Sequence, residues 1–194
     1  MIARTMGHGP QPLATRFDPT IVGLWVFIAT EALFFGMLMG SYLYLRVRLG
    51  SWPPPGTPER DLFVPLLNTV VLLSSGLVMH GAHDSIRRGD RSVLQGGIVA
   101  TMFLGAAFLG GQAYEYTHAG FGLSSGLLGS TFFTLTGFHG AHVFAGLVFL
   151  ALILWRASKG YYTANHHVGV EASALYWHFV DAVWVVLLTI LYLI

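Results

Sequence analysis

Residues 129–155 read GSTFFTLTGFHGAHVFAGLVFLALILW, a run without a single Asp, Glu, Lys or Arg. A bilayer hydrocarbon core about 30 Å thick is crossed by roughly 20 helical residues at about 1.5 Å rise each, so this run is long enough to span one. Four further runs share the character: residues 19–45 carry only Glu31, residues 62–83 and 92–114 carry no charge, and residues 172–194 carry only Asp181. In lipid every backbone amide must be bonded within the protein, which leaves helices or closed barrels. The short alternating segments of a barrel strand are not seen. The sequence therefore predicts an all-α polytopic membrane protein, a bundle of five transmembrane helices over residues 19–46, 62–84, 92–116, 129–156 and 172–194.

Composition agrees. Of 194 residues only 10% are charged, against roughly 25% in a soluble domain, while 54% are hydrophobic and mean hydropathy is +0.64. A near-neutral net charge of +1 argues against a nucleic-acid partner. The absence of Cys excludes disulfides, Fe–S clusters and thiolate-held zinc or copper, so a metal would have to rest on His, Met or carboxylates. Residues 1–18 are expected to form an N-terminal tail and 19–194 a single transmembrane domain. The first segment is too long for a signal-peptide core and lacks a cleavage pattern after it. No internal repeat supports an inverted-repeat transporter.

Lys and Arg set the expected orientation, because positive charge is retained on the cytoplasmic side. One side carries Arg4, Arg16, Arg87, Arg88, Arg91, Arg156 and Lys159, and the other Arg46, Arg48 and Arg60. This predicts a cytoplasmic N-terminus and an external C-terminus, with Arg46 and Arg48 snorkelling from the end of the first helix.

Ionisable groups inside a membrane helix cost at least a few kcal/mol and mark function by default. Counting rise along each helix places Glu31 about 16 Å deep, Asp181 and His139 about 14 Å from their respective faces, and His142 about 18 Å. All four are thus expected to meet in one layer. His178 lies one turn from Asp181 and extends that face. Two accounts fit such a layer: hydrogen bonds that hold the helices together, or a titratable cluster that shares protons and titrates as a unit. His139 and His142 also invite a metal or haem reading. Haem in a bundle takes one His from each of two facing helices, and a His beside buried carboxyls is better explained as their partner. His80 and His83 end the second helix beside Asp84, Arg87 and Arg88 and read as headgroup-facing. Gly105, Gly110 and Gly111 on the third helix, and Gly137, Gly140, Ala141, Ala145 and Gly146 on the fourth, permit close helix approach. Trp25, Trp155, Trp177, Tyr161, Tyr162 and Tyr192 read as interface anchors or core. Arg156 and Lys159, beside His166, are suited to lipid phosphate.

Several ordered motifs together carry a resemblance. The segments Phe27-Ile28-Ala29-Thr30-Glu31-Ala32-Leu33-Phe34-Phe35, Leu67-Asn68-Thr69, Gly137-Phe138-His139-Gly140-Ala141-His142-Val143, Asn165-His166-His167 and Tyr176-Trp177-His178-Phe179-Val180-Asp181 resemble, in order, subunit III of the haem-copper cytochrome c oxidases. The likeness is to a five-helix form lacking the first two helices of longer members. It implies a place in a multi-subunit, proton-pumping terminal oxidase of the bacterial inner membrane that passes electrons from cytochrome c to oxygen. It also implies subunit I as main contact, subunit II and phospholipids as further partners, and haem and copper in the partner subunits. No cofactor, metal or catalytic residue is then expected in this chain. Glu31 corresponds to the family's carbodiimide-reactive carboxyl, with His142 and Asp181 as neighbours, and Arg156 to a basic residue near lipid phosphate. A quinol oxidase subunit III is the alternative within the same class; a stand-alone haem- or quinone-binding protein and a small proton-coupled transporter are alternatives outside it.

Overall fold

The computed structural model describes residues 18–54 and 62–194. Five helices follow in order: α1 Pro19–Leu49, α2 Phe63–Arg87, α3 Arg91–His118, α4 Gly126–Ser158 and α5 Val168–Leu188, the last running into a π-helical turn Thr189–Leu193. All five are long and apolar enough to cross a membrane. The N-terminal tail, apart from Asp18, and Arg60 lie outside the described residues, as do Arg4 and Arg16.

Most helix ends extend a few residues beyond the uncharged runs. The run marks hydrocarbon, whereas the helix continues through the headgroup layer until a cap stops it. The Asp18 carboxylate accepts from Thr20 N at 2.8 Å and opens α1, and Gly50 closes it at φ 67°. Asp90 opens α3 by accepting from both Ser92 N and Val93 N at 3.1 Å. Before α5 the chain turns back at Thr163 and His166, whose amides and carbonyls exchange bonds of 3.0 and 3.1 Å, so the helix begins at Val168 rather than Ala172.

α5 is the hub. It packs against α1, α2 and α4, while α2 and α3 form the closest pair and α3 also packs on α4. Trp177 and Trp184 of α5 are fully buried. Trp177 lies in a slot made by two missing side chains: a Cβ on Gly105 would stand 2.6 Å from its Cη2, and one on Gly146 2.9 Å from its Cζ3. Its indole N–H donates to Ser75 Oγ at 2.9 Å, and that of Trp184 to Thr69 Oγ1 at 2.9 Å, so α5 is tied to α2 twice. Gly111 is likewise pressed against the Asn68 side chain, whereas Gly110, Gly137 and Gly140 have room for a Cβ. Of the two roles the sequence allows Trp177, interface anchor or core, the structure shows core. Trp25, Trp155 and Tyr161 are exposed, as are Leu33, Met37, Leu77 and Phe103 on the outer surface. So much apolar surface is stable only against lipid or another apolar protein.

Candidate functional site

Glu31, His139, His142, His178 and Asp181 do not form one cluster. They divide into two pairs on opposite sides of α5, with a lone imidazole between the helices.

The first pair joins α1 to α4. His142 Nε2 lies 3.0 Å from Glu31 Oε2, and the two side chains are 17% and 21% exposed. Phe34, Phe35 and Phe138 surround the contact: Phe34 meets Phe138 edge-on at 5.1 Å, and Phe35 meets the His142 ring edge-on at 5.0 Å. The other ring nitrogen fixes the proton arrangement. His142 Nδ1 is 2.7 Å from the Phe138 carbonyl one turn back. A carbonyl only accepts, so Nδ1 carries a hydrogen and donates it. Nε2 must then either accept from a protonated Glu31 or, as imidazolium, donate to its carboxylate. In both states the pair holds one shared proton and no net charge, which suits a low-dielectric layer. Tyr176 Oη of α5 donates to the His142 carbonyl at 3.0 Å and braces this turn of α4.

The second pair lies where α5 meets α2. His178 Nδ1 is 3.8 Å from Asp181 Oδ2, beyond direct hydrogen bonding, and the side chains are 42% and 9% exposed. Asp181 Oδ1 is buried without a hydrogen-bond partner among the described residues. The carboxylate fits because α2 has Gly76 there: a Cβ would overlap Asp181 Oδ2. Tyr176 and Asp181 are five residues apart on α5, or about 140° around a helix, which turns one toward α4 and the other toward α2.

His139, expected in the same layer as Glu31 and Asp181, joins neither pair. The i, i+3 spacing from His142 rotates it about 60° around α4, toward α3 and α5. Its ring stacks on Trp184 at 5.1 Å, takes the Phe108 edge at 5.7 Å, and both its nitrogens are buried without hydrogen-bond partners among the described residues. His139 and His142 share Phe35 as a neighbour, but the His139 ring is turned toward Phe108 and Trp184 and the His142 ring toward Glu31.

At the end of the bundle where α2 and α4 finish and α3 and α5 begin, the positive residues Arg87, Arg88, Arg91, Arg156 and Lys159 gather. The Arg156 guanidinium lies over the rings of Tyr161 and Tyr162, 5.6 and 5.8 Å from their centroids. Lys159 and His166 are exposed beside it. Burial pushes the Tyr162 phenol above its ordinary value, with Arg156 opposing. Arg91, read from the sequence only as one of the positive residues of this side, brings its guanidinium within 3.4 Å of where a Gly160 Cβ would be, so both connections at this end share one basic surface. Also unforeseen is a polar group at the opposite end, where Glu115 accepts from Gln112 Nε2 at 3.2 Å and Tyr192 Oη at 2.7 Å. Only Glu115, one residue past an uncharged run, gave a sequence signal for it.

The comparisons with known proteins agree with one another. The profile described as Cytochrome c oxidase subunit III matches residues 14–194. Cytochrome c oxidase subunit 3 of Thermostichus vulcanus is 43% identical over 178 residues, 91% of this chain and 88% of the relative. The protein of the same name from Synechocystis is 43% identical over 189 residues, 97% of this chain and 79% of the relative. That of Sus scrofa is 45% identical over 176 residues, 88% of this chain and 67% of the relative. With the five spans and the position of the match along nearly the whole sequence, the chain belongs to the cytochrome c oxidase subunit III family.

Proposed function

We propose that the chain is the non-redox subunit III of a proton-pumping terminal oxidase that passes electrons from cytochrome c to oxygen in a bacterial inner membrane. It stabilises subunit I, contacts subunit II, and leaves haem and copper to those partners. The separate orientations of His139 and His142 support the absence of a haem of its own. The distribution of Lys and Arg supports a cytoplasmic N-terminus. The same basic surface supports phospholipid retention through Arg156, with Lys159 and His166 beside it.

The observation that carries a role in proton supply is the Glu31–His142 contact, a one-proton pair at the α1–α4 seam, 3.0 Å across. A pair that is neutral in either proton arrangement can pass the proton between its two groups without a net buried charge, and can release it onward only as another proton arrives to replace it. The test is Glu31→Gln in the assembled complex. Because His142 Nδ1 carries the hydrogen, Nε2 can accept from the Gln amide, so the variant keeps the hydrogen bond and loses only the shared proton. Initial oxygen reduction is expected to stay near wild type while carbodiimide labelling disappears and proton uptake during sustained turnover declines. Unchanged proton uptake and lifetime, with labelling abolished, would reduce the pair to a structural bond.

A further inference from the structure

A row of ionisable side chains follows the α2–α5 seam over a surface that is otherwise apolar. From the basic end inward come Asp84 and His80 on α2, 3.5 Å apart at i, i+4. The His178 ring of α5 follows, its centroid 6.1 Å from that of His80, and then Asp181 at 3.8 Å. Along the axis, His80 is about 10 Å and Gly76 about 16 Å from Arg87, while Asp181 is about 20 Å from Val168. The row thus runs from headgroup level to mid-membrane. At its inner end opens a groove of about 400 Å³ lined by Leu73, Gly76, Leu77, His178 and Asp181. Beside the row stand His83 and Arg87 of α2, His167 of the preceding turn and Glu171 of α5, with the His83 and His167 rings 6.0 Å apart.

Acyl chains are a poor neighbour for this surface. His178 is 42% exposed, and each ionisable group facing hydrocarbon costs at least a few kcal/mol. Asp181 lines the groove, and its Oδ1 has no hydrogen-bond partner among the described residues. The 3.5 and 3.8 Å separations within the row close to hydrogen bonds with a small side-chain rotation, and the step between the His80 and His178 rings, 6.1 Å between centroids, suits a bridging water.

We propose that the α2–α5 seam is a water-filled crevice through which Asp181 exchanges protons with the basic end of the bundle by way of His178 and the His80–Asp84 pair. Each imidazole takes a proton on one nitrogen as it gives one up from the other, and the Asp181 carboxylate accepts or returns the last. The proposal deepens the proton-supply reading but uses a different site, since α5 stands between this row and Glu31–His142.

The chain has no Cys of its own, so Leu73→Cys, Leu77→Cys and, as a lipid-facing reference, Phe103→Cys report accessibility in the assembled oxidase in nanodiscs. A charged, water-soluble thiosulfonate is expected to label the Leu77 and Leu73 positions at least tenfold faster than the Phe103 position, with Leu77 ahead. A lipid-soluble maleimide should label all three. Leu73 and Leu77 positions that match the reference toward the charged reagent, or resist both reagents because a partner covers them, would overturn the crevice. The relay is read separately from the Asp181 infrared band, assigned by difference against Asp181→Asn. Its response to D2O should slow about tenfold in His178→Leu, and an unchanged rate would overturn the relay. Neither readout depends on turnover, so failure here and failure of the Glu31→Gln test are distinguishable.

Discussion

Gly105→Ala probes what holds the bundle together. The added Cβ would stand 2.6 Å from Trp177 Cη2, 2.9 Å from Cζ2 and 3.0 Å from Leu147 Cδ2. A flexible side chain would yield a few tenths of an ångström, but this indole cannot. Its opposite edge faces the Gly146 backbone, where an ideal Cβ is already 2.9 Å from Cζ3, and its N–H is held by Ser75 at 2.9 Å. Overpacking a well-filled core costs about 1–3 kcal/mol. With the ring held from three sides the expected loss is near 2 kcal/mol, roughly a 30-fold shift in the unfolding equilibrium. The assay is unfolding in mixed detergent micelles of rising dodecyl sulfate fraction, following loss of helical signal. A double-mutant cycle with Trp177→Phe isolates the cause, because the smaller ring vacates the space; contacting residues couple by about 0.5–3 kcal/mol. A Gly105→Ala variant as stable as wild type, or an additive double mutant, would refute the slot as the source of the packing constraint.

Three further outcomes follow from the same contacts. Ser75→Ala leaves the buried Trp177 N–H without its acceptor and should lose about 1–3 kcal/mol in the same micelle assay, whereas Ser41→Ala, on the exposed surface of α1, should lose little. The Tyr162 phenol is raised above 10.0 by burial, so the unfolded chain ionises first: its contribution to stability is present below about pH 10 and falls as pH rises through the folded value. Tyr162→Phe should flatten that alkaline decline in a pH series of thermal unfolding. Arg156→Ala should lower the phospholipid retained by the purified complex, as measured by phosphorus content per haem; one basic contact contributes about 1 kcal/mol, so the loss should be partial and deepen with Lys159→Ala.

The five spans were legible because hydrocarbon excludes charge, and runs such as residues 129–155 show that exclusion directly. Helix ends were less so. Asp18, Asp90 and Gly50 cap helices beyond the apolar runs, and hydropathy is blind to caps. Depth was legible as well: counting 1.5 Å per residue brings Glu31 and His142 to similar levels, and the structure joins them at 3.0 Å. Rotation about the helix axis was not. A helix that is apolar nearly all round gives no hydrophobic stripe from which to read the buried face, so Asp181 and His139 could not be assigned their neighbours. Those are decided by local shape, with Gly76 leaving room for one and Trp184 a flat ring for the other.

That rotation governs how the titratable groups interact. Two carboxyls in one layer would repel when both ionised, and sharing protons would be the cheapest resolution. With α5 between them, each carboxyl has its own solution. Glu31 is paired with an imidazole inside an aromatic collar, neutral as a unit. Asp181 has a more distant imidazole and an open groove. The bulk separating them is α5 itself, seated by Trp177 in its two-glycine slot and by the bonds to Ser75 and Thr69. The residues that pack α5 therefore also keep the two carboxyl–imidazole pairs apart. A change that rotates this helix alters both sites together, whereas a change at either carboxyl is confined to its own side.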